Sequence, residues 1–314
     1  MVTLISVESV EDAILIITLL FFLVCVAKLG ISLPNMLFKL ASKIRRLDAL
    51  DQDYCNLDFG ALLSPDETNR SSKYRFCVRQ KFESFRKTGL AVWADSVSLA
   101  AYLVCPSLLS TRIQKSRPQL SIEDVSRFIA VMPRLDNQRI VELGCGVGVL
   151  SLVLQRLLDP ETVLATDGDE NAVMLAGSNM ERNDGKHVQV QQLRWGCDKD
   201  IKQALCAGKR RQVLFDVVIG SDITYWPAPL GLLKETILKL VALDGCVILA
   251  HKDRSKSSNR VFFDSLSAHF RENFHIFAAD LADDIGQTGG DFSEEDGMHI
   301  FIYRGLLLPQ GREE

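Results

Sequence analysis

The chain has 314 residues, 47% of them hydrophobic and 24% charged, enough apolar material for a sizeable core and too little polarity for a disordered tract. Its formal net charge of −4 supplies no global basic field of the kind that gathers nucleic acid. Eight cysteines are scattered without a C-x-x-C pair or a His-spaced cluster, which argues against zinc and a disulfide framework and fits reduced thiols in a cytosol-facing protein.

From the N-terminus, Ala13 to Ala27 is apolar apart from Thr18, and after Lys28 the run resumes to Leu33. These 21 residues are long enough for a bilayer of about 30 Å. Glu8, Glu11 and Asp12 precede the run, and Lys39, Lys43, Arg45 and Arg46 follow it, so a membrane anchor here would leave the rest of the chain in the cytosol. An acidic leader does not suit a cleaved secretory signal. Because Lys28 interrupts the run, a hydrophobic helix docked on protein is the rival reading. Residues 1–33 are thus read as a hydrophobic segment, 34–75 as a polar connector and 76–314 as the main domain, expected to be a monomer.

From residue 76 onward the pattern predicts alternating strands and helices. A short amphipathic helix starts near Trp93, with Leu99 and Leu103 spaced on one face. Strands are expected near 138–143, 162–166, 188–193, 214–219, 245–250, 274–279 and 298–304. Helices are expected over about 121–132, 147–158, 170–182, 229–242 and 259–272. Leu214-Phe215-Asp216-Val217-Val218-Ile219 is nearly all apolar, as a parallel strand buried on both faces requires. The expected fold class is therefore α/β: a Rossmann-like, doubly wound, seven-stranded, mostly parallel sheet with an antiparallel closing strand.

In such a sheet ligands bind beyond the carboxyl ends of the strands, so those ends carry the functional information. The first ends in Glu142-Leu143-Gly144-Cys145-Gly146-Val147-Gly148. A dinucleotide fingerprint wants a third glycine three residues after the second, but that position is Val149. With an acid just before the turn, the pattern suits S-adenosylmethionine better than NAD. The second strand runs into Asp167-Gly168-Asp169. An acid about 20 residues after the glycine turn can accept both ribose hydroxyls, which favours Asp167, while Asp169 reads as a helix N-cap. The third runs into Trp195, whose flat ring can cover an adenine or simply fill the core. The fourth ends in Ser221-Asp222-Ile223-Thr224-Tyr225. Here an acid and a tyrosine three residues apart can clamp a nucleophile, although Asp222 alone also reads as a turn cap. The Asn/Asp-Pro-Pro-aromatic motif of enzymes that methylate base amines is absent from this position.

In order, G-x-x-x-W-x-x-S-x-x-L-A-x-Y-L (from Gly89), E-L-G-x-G-x-G, A-T-D, L-x-W-G, F-D-V-V-I-G-S-D-I-T-Y and H-I-F-I-Y resemble the seven-β-strand protein lysine methyltransferases of the methyltransferase-like 21 group, the D-x-x-Y type. The likeness spans roughly residues 85–305, and Arg254 followed by Phe262-Phe263 also fits it. It implies that Trp93, Gly144, Cys145, Gly146, Asp167, Trp195 and Ser221 contact S-adenosyl-L-methionine. It also implies that Glu142 sits near the methionine amino group and that Asp222 and Tyr225 face a protein substrate with an accessible lysine. Two positions depart from the group pattern: Ser221 replaces a small apolar residue, and Thr224 replaces an aliphatic one.

Rival readings are transfer to protein arginine, a small molecule or RNA, and a binding module without transfer. The basic stretches Lys209-Arg210-Arg211 and Lys252 to Arg260 read as solvated loops, so nucleic acid is not the expected partner. No metal is expected.

Overall fold

Arg139–Leu143 and Phe215–Ser221 each centre on aliphatic residues, Ile140-Val141 and Val217-Val218-Ile219, and almost every residue in them is buried, on both faces. Only a strand with neighbours on each edge and helices above and below satisfies such a run. The computed structural model describes residues 53–63, 72–81, 88–108, 126, 129–207, 212–225, 228–252, 256–278 and 298–307. All lie within one compact unit, Arg46–Glu314.

A first pair of strands, β1 (Tyr54–Asp58) and β2 (Arg75–Arg79), is antiparallel with Tyr54 opposite Arg79. Helix α1 (Ala94–Val104) follows, then β3 (Arg139–Leu143), α2 (Val149–Leu157), β4 (Thr162–Asp167), α3 (Glu170–Arg182) and β5 (Val188–Gln192). The chain continues through α4 (Asp198–Leu205), β6 (Phe215–Ser221), α5 (Leu230–Leu240), β7 (Val241–His251), α6 (Lys256–Ser267), β8 (Phe270–Ala278) and β9 (Met298–Leu306). Strands β3 to β9 form one sheet in the order β5-β4-β3-β6-β7-β9-β8. Every pairing in it is parallel except those of β9 with β7 and β8. The winding reverses between β3 and β6, and the crevice beyond such a reversal is where a ligand fits.

Alternation along the strands builds two cores. Ile140, Val217, Ile219, Ile248 and Ile300 pack with α1 and α2 on one face. Val141, Leu143, Val218, Val247 and Leu249 pack with α4, α5 and α6 on the other. The fold is thus the seven-stranded α/β architecture expected, closed by an antiparallel strand.

Several local expectations change. The predicted helix over 259–272 stops at Ser267, and the strand expected at 274–279 already starts at Phe270. The long β9 provides the reason, because Phe270 and Glu272 pair with Leu306 and Arg304. Helix α4 lies where no element was expected; its signal is Ile201, Ala204 and Leu205 on one buried face behind Asp198 and Asp200. Of the helix expected at 121–132, only Ser126 and residues 129–132 are described; Ser126 and 129–131 are helical, and Met132 is already a bend. Within the stretch read as a connector, Tyr54–Asp58 is a strand with buried Cys55 and Leu57. Among the described residues no helix is long and apolar enough to cross a membrane. The hydrophobic segment 13–33 lies outside the described residues.

The β1–β2 pair is held by two side-chain amides. Asn183 accepts from the Cys77 amide (2.8 Å) and donates to the Cys77 carbonyl (2.9 Å). Asn179 does the same for Arg79 (2.7 and 2.9 Å) and also donates to the Val147 carbonyl in the glycine turn (2.9 Å). Four helical residues rise about 6 Å, close to two residues of strand, so the asparagines stand in for a neighbouring strand.

Candidate functional site

The site is assembled from strand ends. Trp93, Glu142, Gly144, Cys145, Gly146, Asp167, Trp195, Ser221, Asp222 and Tyr225 all line one cleft of about 660 Å³ at the carboxyl edge of the sheet. Gly89, Ser96, Val149, Arg194 and Leu232 line it too, although the sequence reading assigned them no role. Gly89 and Ser96 fall inside the first matched motif, and that is the signal that would have found them.

The glycine turn crosses the cleft floor. Gly144 and Gly146 adopt φ of +65° and +54°, which L side chains rarely take. A Cβ on Gly146 would sit 3.0 Å from the Gly89 carbonyl oxygen, and one on Gly144 would sit 2.5 Å from Ile223 Cγ2. Both positions therefore need glycine for conformation and for space. The turn is fixed by Cys145 N donating to Thr166 O and Gly148 N donating to Cys145 O, each 2.8 Å.

Two carboxylates sit in this floor, Glu142 buried and Asp167 half-buried. Glu142 is 2% exposed; one of its oxygens accepts from the Ser151 amide (2.9 Å) and the Ser151 hydroxyl (2.5 Å). Burial pushes its pKa up to about 7 against the lowering effect of the Ser151 bonds, and the Asp167 charge adds to the rise. Asp167 accepts from Gly146 N (3.0 Å) and Asp169 N (2.9 Å), and burial also raises its pKa. Asp169 caps α3 by accepting from Asn171 N, as expected. Burial likewise raises the Cys145 thiol well above its ordinary value, so it lines the cleft as a neutral group.

At the fourth strand end, the Ser221 hydroxyl is buried with no hydrogen-bond partner among the described residues. Asp222, half-buried, takes φ of +54°, and its amide donates to the Ala250 carbonyl (2.9 Å). Tyr225 is 45% exposed at the mouth. Trp93 precedes α1 as its N-cap, and its carbonyl accepts from the Ser96 amide and hydroxyl.

This donor set has a clear preference. Glu142, Asp167 and Asp222 are acidic, and among the described residues of the cleft the one cation is Arg194. Its guanidinium is already bound by both oxygens of Asp200 (2.7 and 3.0 Å), which pulls the Asp200 carboxyl far below its usual range. A pyrophosphate would meet negative charge here, whereas a ligand carrying ammonium or sulfonium charge would be attracted.

The family model described as "Lysine methyltransferase" matches residues 77–269. "Protein-lysine N-methyltransferase EFM3" of Chaetomium thermophilum is 30% identical over 159 residues, 48% of this chain and 46% of that one. The Saccharomyces cerevisiae protein of the same name is 26% identical over 185 residues, 56% of this chain and 47% of that one. "EEF1A lysine methyltransferase 3" of Mus musculus is 25% identical over 230 residues, 71% of this chain and 82% of that one. The match spans about half the length of the first two relatives.

Proposed function

The chain belongs to the lysine methyltransferase family, and from that premise we propose that it transfers methyl from S-adenosyl-L-methionine to a lysine side chain of a protein substrate. The observation that carries this reading is one cleft with an acidic floor, Glu142 and Asp167, and an acid–tyrosine pair, Asp222 and Tyr225, at its mouth. The residues present fit the donor: two glycines leave room where a Cβ would collide, and the carboxylates of Glu142 and Asp167 complement a ligand that carries ammonium and sulfonium charges beside its own carboxylate. In this reading Asp167 takes the ribose hydroxyls, Glu142 the amino group and Trp195 the adenine face. Trp93, Gly144, Cys145, Gly146 and Ser221 complete the pocket. When bound, the donor supplies an electrophilic methyl carbon on a sulfonium.

The protein's own task is positioning, which supplies much of the rate when reactants are held in near-attack geometry. A lysine with a pKa near 10.4 is neutral in only about one molecule in 10³ at pH 7. Desolvation at the cleft mouth favours the neutral amine, whereas a carboxylate favours the ammonium. Asp222 therefore captures and orients the incoming lysine, Tyr225 flanks it, and the proton leaves to water.

Incubation with labelled S-adenosylmethionine and a cell extract tests the reading. The expected result is a labelled protein band in which mass spectrometry locates the methyl group on lysine. Label in RNA, in small molecules or on arginine would overturn the acceptor assignment, and no transfer would reduce the protein to a binding module.

The domain is further proposed to work as a monomer, attached through residues 13–33 to the cytosolic face of a membrane. The support is the length of that apolar run and its flanking charges. Retention in the membrane pellet after carbonate extraction is the expected result, and release into the soluble fraction would remove the anchor.

A further inference from the structure

The four residues Asp222 to Tyr225 leave the regular sheet with Asp222 in a left-handed conformation, so something must hold them in place. Asp222, Ile223 and Tyr225 line the cleft, whereas Thr224 does not, and Ile223 and Thr224 anchor the segment. Ile223 fills the space left by Gly144 and Gly220: a Cβ on either glycine would collide with its side chain. Thr224 is 1% exposed, and its Oγ1 lies 2.6 Å from Nδ1 of His251, also 1% exposed, at the end of β7. The other ring nitrogen, Nε2, lies 3.0 Å from Nδ2 of buried Asn259 near the start of α6.

The chemistry of the three groups sets the direction of the chain. An amide nitrogen only donates, so Nε2 of His251 accepts from Asn259. A neutral imidazole then carries its proton on Nδ1 and donates it to the Thr224 hydroxyl oxygen. His251 stacks obliquely on Phe263 of α6, with ring centroids 5.4 Å apart, which restrains the ring. The Asp222 amide bonds the carbonyl of Ala250, so the segment is tied to β7 at two successive residues.

We propose that Thr224, His251 and Asn259 are positioning residues that hold Asp222 and Tyr225 at the cleft mouth, so that α6, which lies outside the cleft, sets the geometry of the substrate-facing pair. The catalytic part of this inference rests on the reading of Asp222 and Tyr225 as that pair. A displacement of about 1 Å at such a site can cost on the order of a hundred-fold in rate, so the expected loss on breaking the chain is about ten- to hundred-fold.

Thr224→Val removes the acceptor with little change of shape, Asn259→Ala removes the donor at the far end, and Thr224→Ser restores the hydroxyl. Hydrogen exchange over residues 222–225, calorimetric affinity for S-adenosylhomocysteine, and incorporation of labelled methyl into extract proteins are measured for each. Faster exchange confined to 222–225 and loss of incorporation in the Val and Ala variants, with unchanged affinity and recovery in the Ser variant, is the expected result. Wild-type exchange and incorporation in Thr224→Val would overturn the proposal, and so would loss of protection throughout β6 and β7, which marks a purely structural role. If Asp222→Asn kept full incorporation while exchange at 222–225 still responded to Thr224→Val, the substrate-facing reading would fall and take only the catalytic part with it.

Discussion

Asp222 and Glu142 line the same cleft at different depths. Asp222 is half-buried, and in the proposed reading its carboxylate meets the lysine ammonium. Asp222→Asn is expected to lower methyl incorporation about a hundred-fold while leaving S-adenosylhomocysteine affinity near wild type, since the change falls on orientation of the acceptor. Titration calorimetry alongside the labelling assay checks both halves. Glu142 lies deep in the floor with its pKa pushed up to about 7, so folding favours its neutral form. Its contribution to stability is complete below the ordinary carboxyl range and is lost as pH rises from there through about 7. The shift corresponds to on the order of 3 kcal/mol. Glu142→Gln should flatten that pH dependence in the ligand-free protein, measured by urea unfolding between pH 5 and 8. In the bound state an ammonium would favour the ionised carboxylate, so donor affinity should strengthen as pH rises through the same range and lose that dependence in the Gln variant.

At the scale of elements, the contacts that join β2, α3 and the glycine turn outweigh their size. Asn179 bonds the backbone of Arg79 and the carbonyl of Val147, so the strand pair and the cleft floor share one side chain. Asn179→Ala leaves buried backbone groups without partners, each worth about 1–3 kcal/mol. The expected outcome is lower stability together with weaker S-adenosylhomocysteine binding. Asn183→Ala should lower stability with a smaller effect on binding, because its bonds reach only Cys77 and its own helix. Urea unfolding with calorimetry separates the two variants. Thr224 and Asn259 join elements in the same way on the other face of the sheet, through His251.

At the scale of the whole molecule, the cleft draws on residues from the approach to α1, from β3 and β4, and from the segments after β5 and β6. A ligand seated there bridges parts of the chain more than a hundred residues apart, and one that binds only the folded state stabilises the whole unit. At a concentration of 100 times Kd, S-adenosylhomocysteine should add about 2.7 kcal/mol to the unfolding free energy. Thermal unfolding reads this as a rise in Tm, and NAD at the same concentration should give none, because its pyrophosphate meets Glu142, Asp167 and Asp222.

Much of this protein was legible in its sequence because strand ends are local features. Aliphatic runs closed by Glu142, Asp167 and Asp222 need no tertiary knowledge to be recognised, and once they are strands of a parallel sheet their ends must lie on one edge. Helix α4 and the early start of β8 were harder, since the first is short and the second depends on the length of β9, a partner set by long-range pairing. The role of Thr224 was out of reach: in sequence it is only a departure from an aliphatic pattern, and His251 and Asn259 stand 27 and 35 positions away. The sequence by itself therefore determined the fold class, and it pointed to one edge of the sheet and to ten residues that all line the cleft there. Only the tertiary structure decided how deeply Glu142 is buried, which residues His251 bridges, and what pins Asp222 and Tyr225. Burial, bridging and anchoring depend on neighbours brought together across the fold, and no spacing along the chain encodes them.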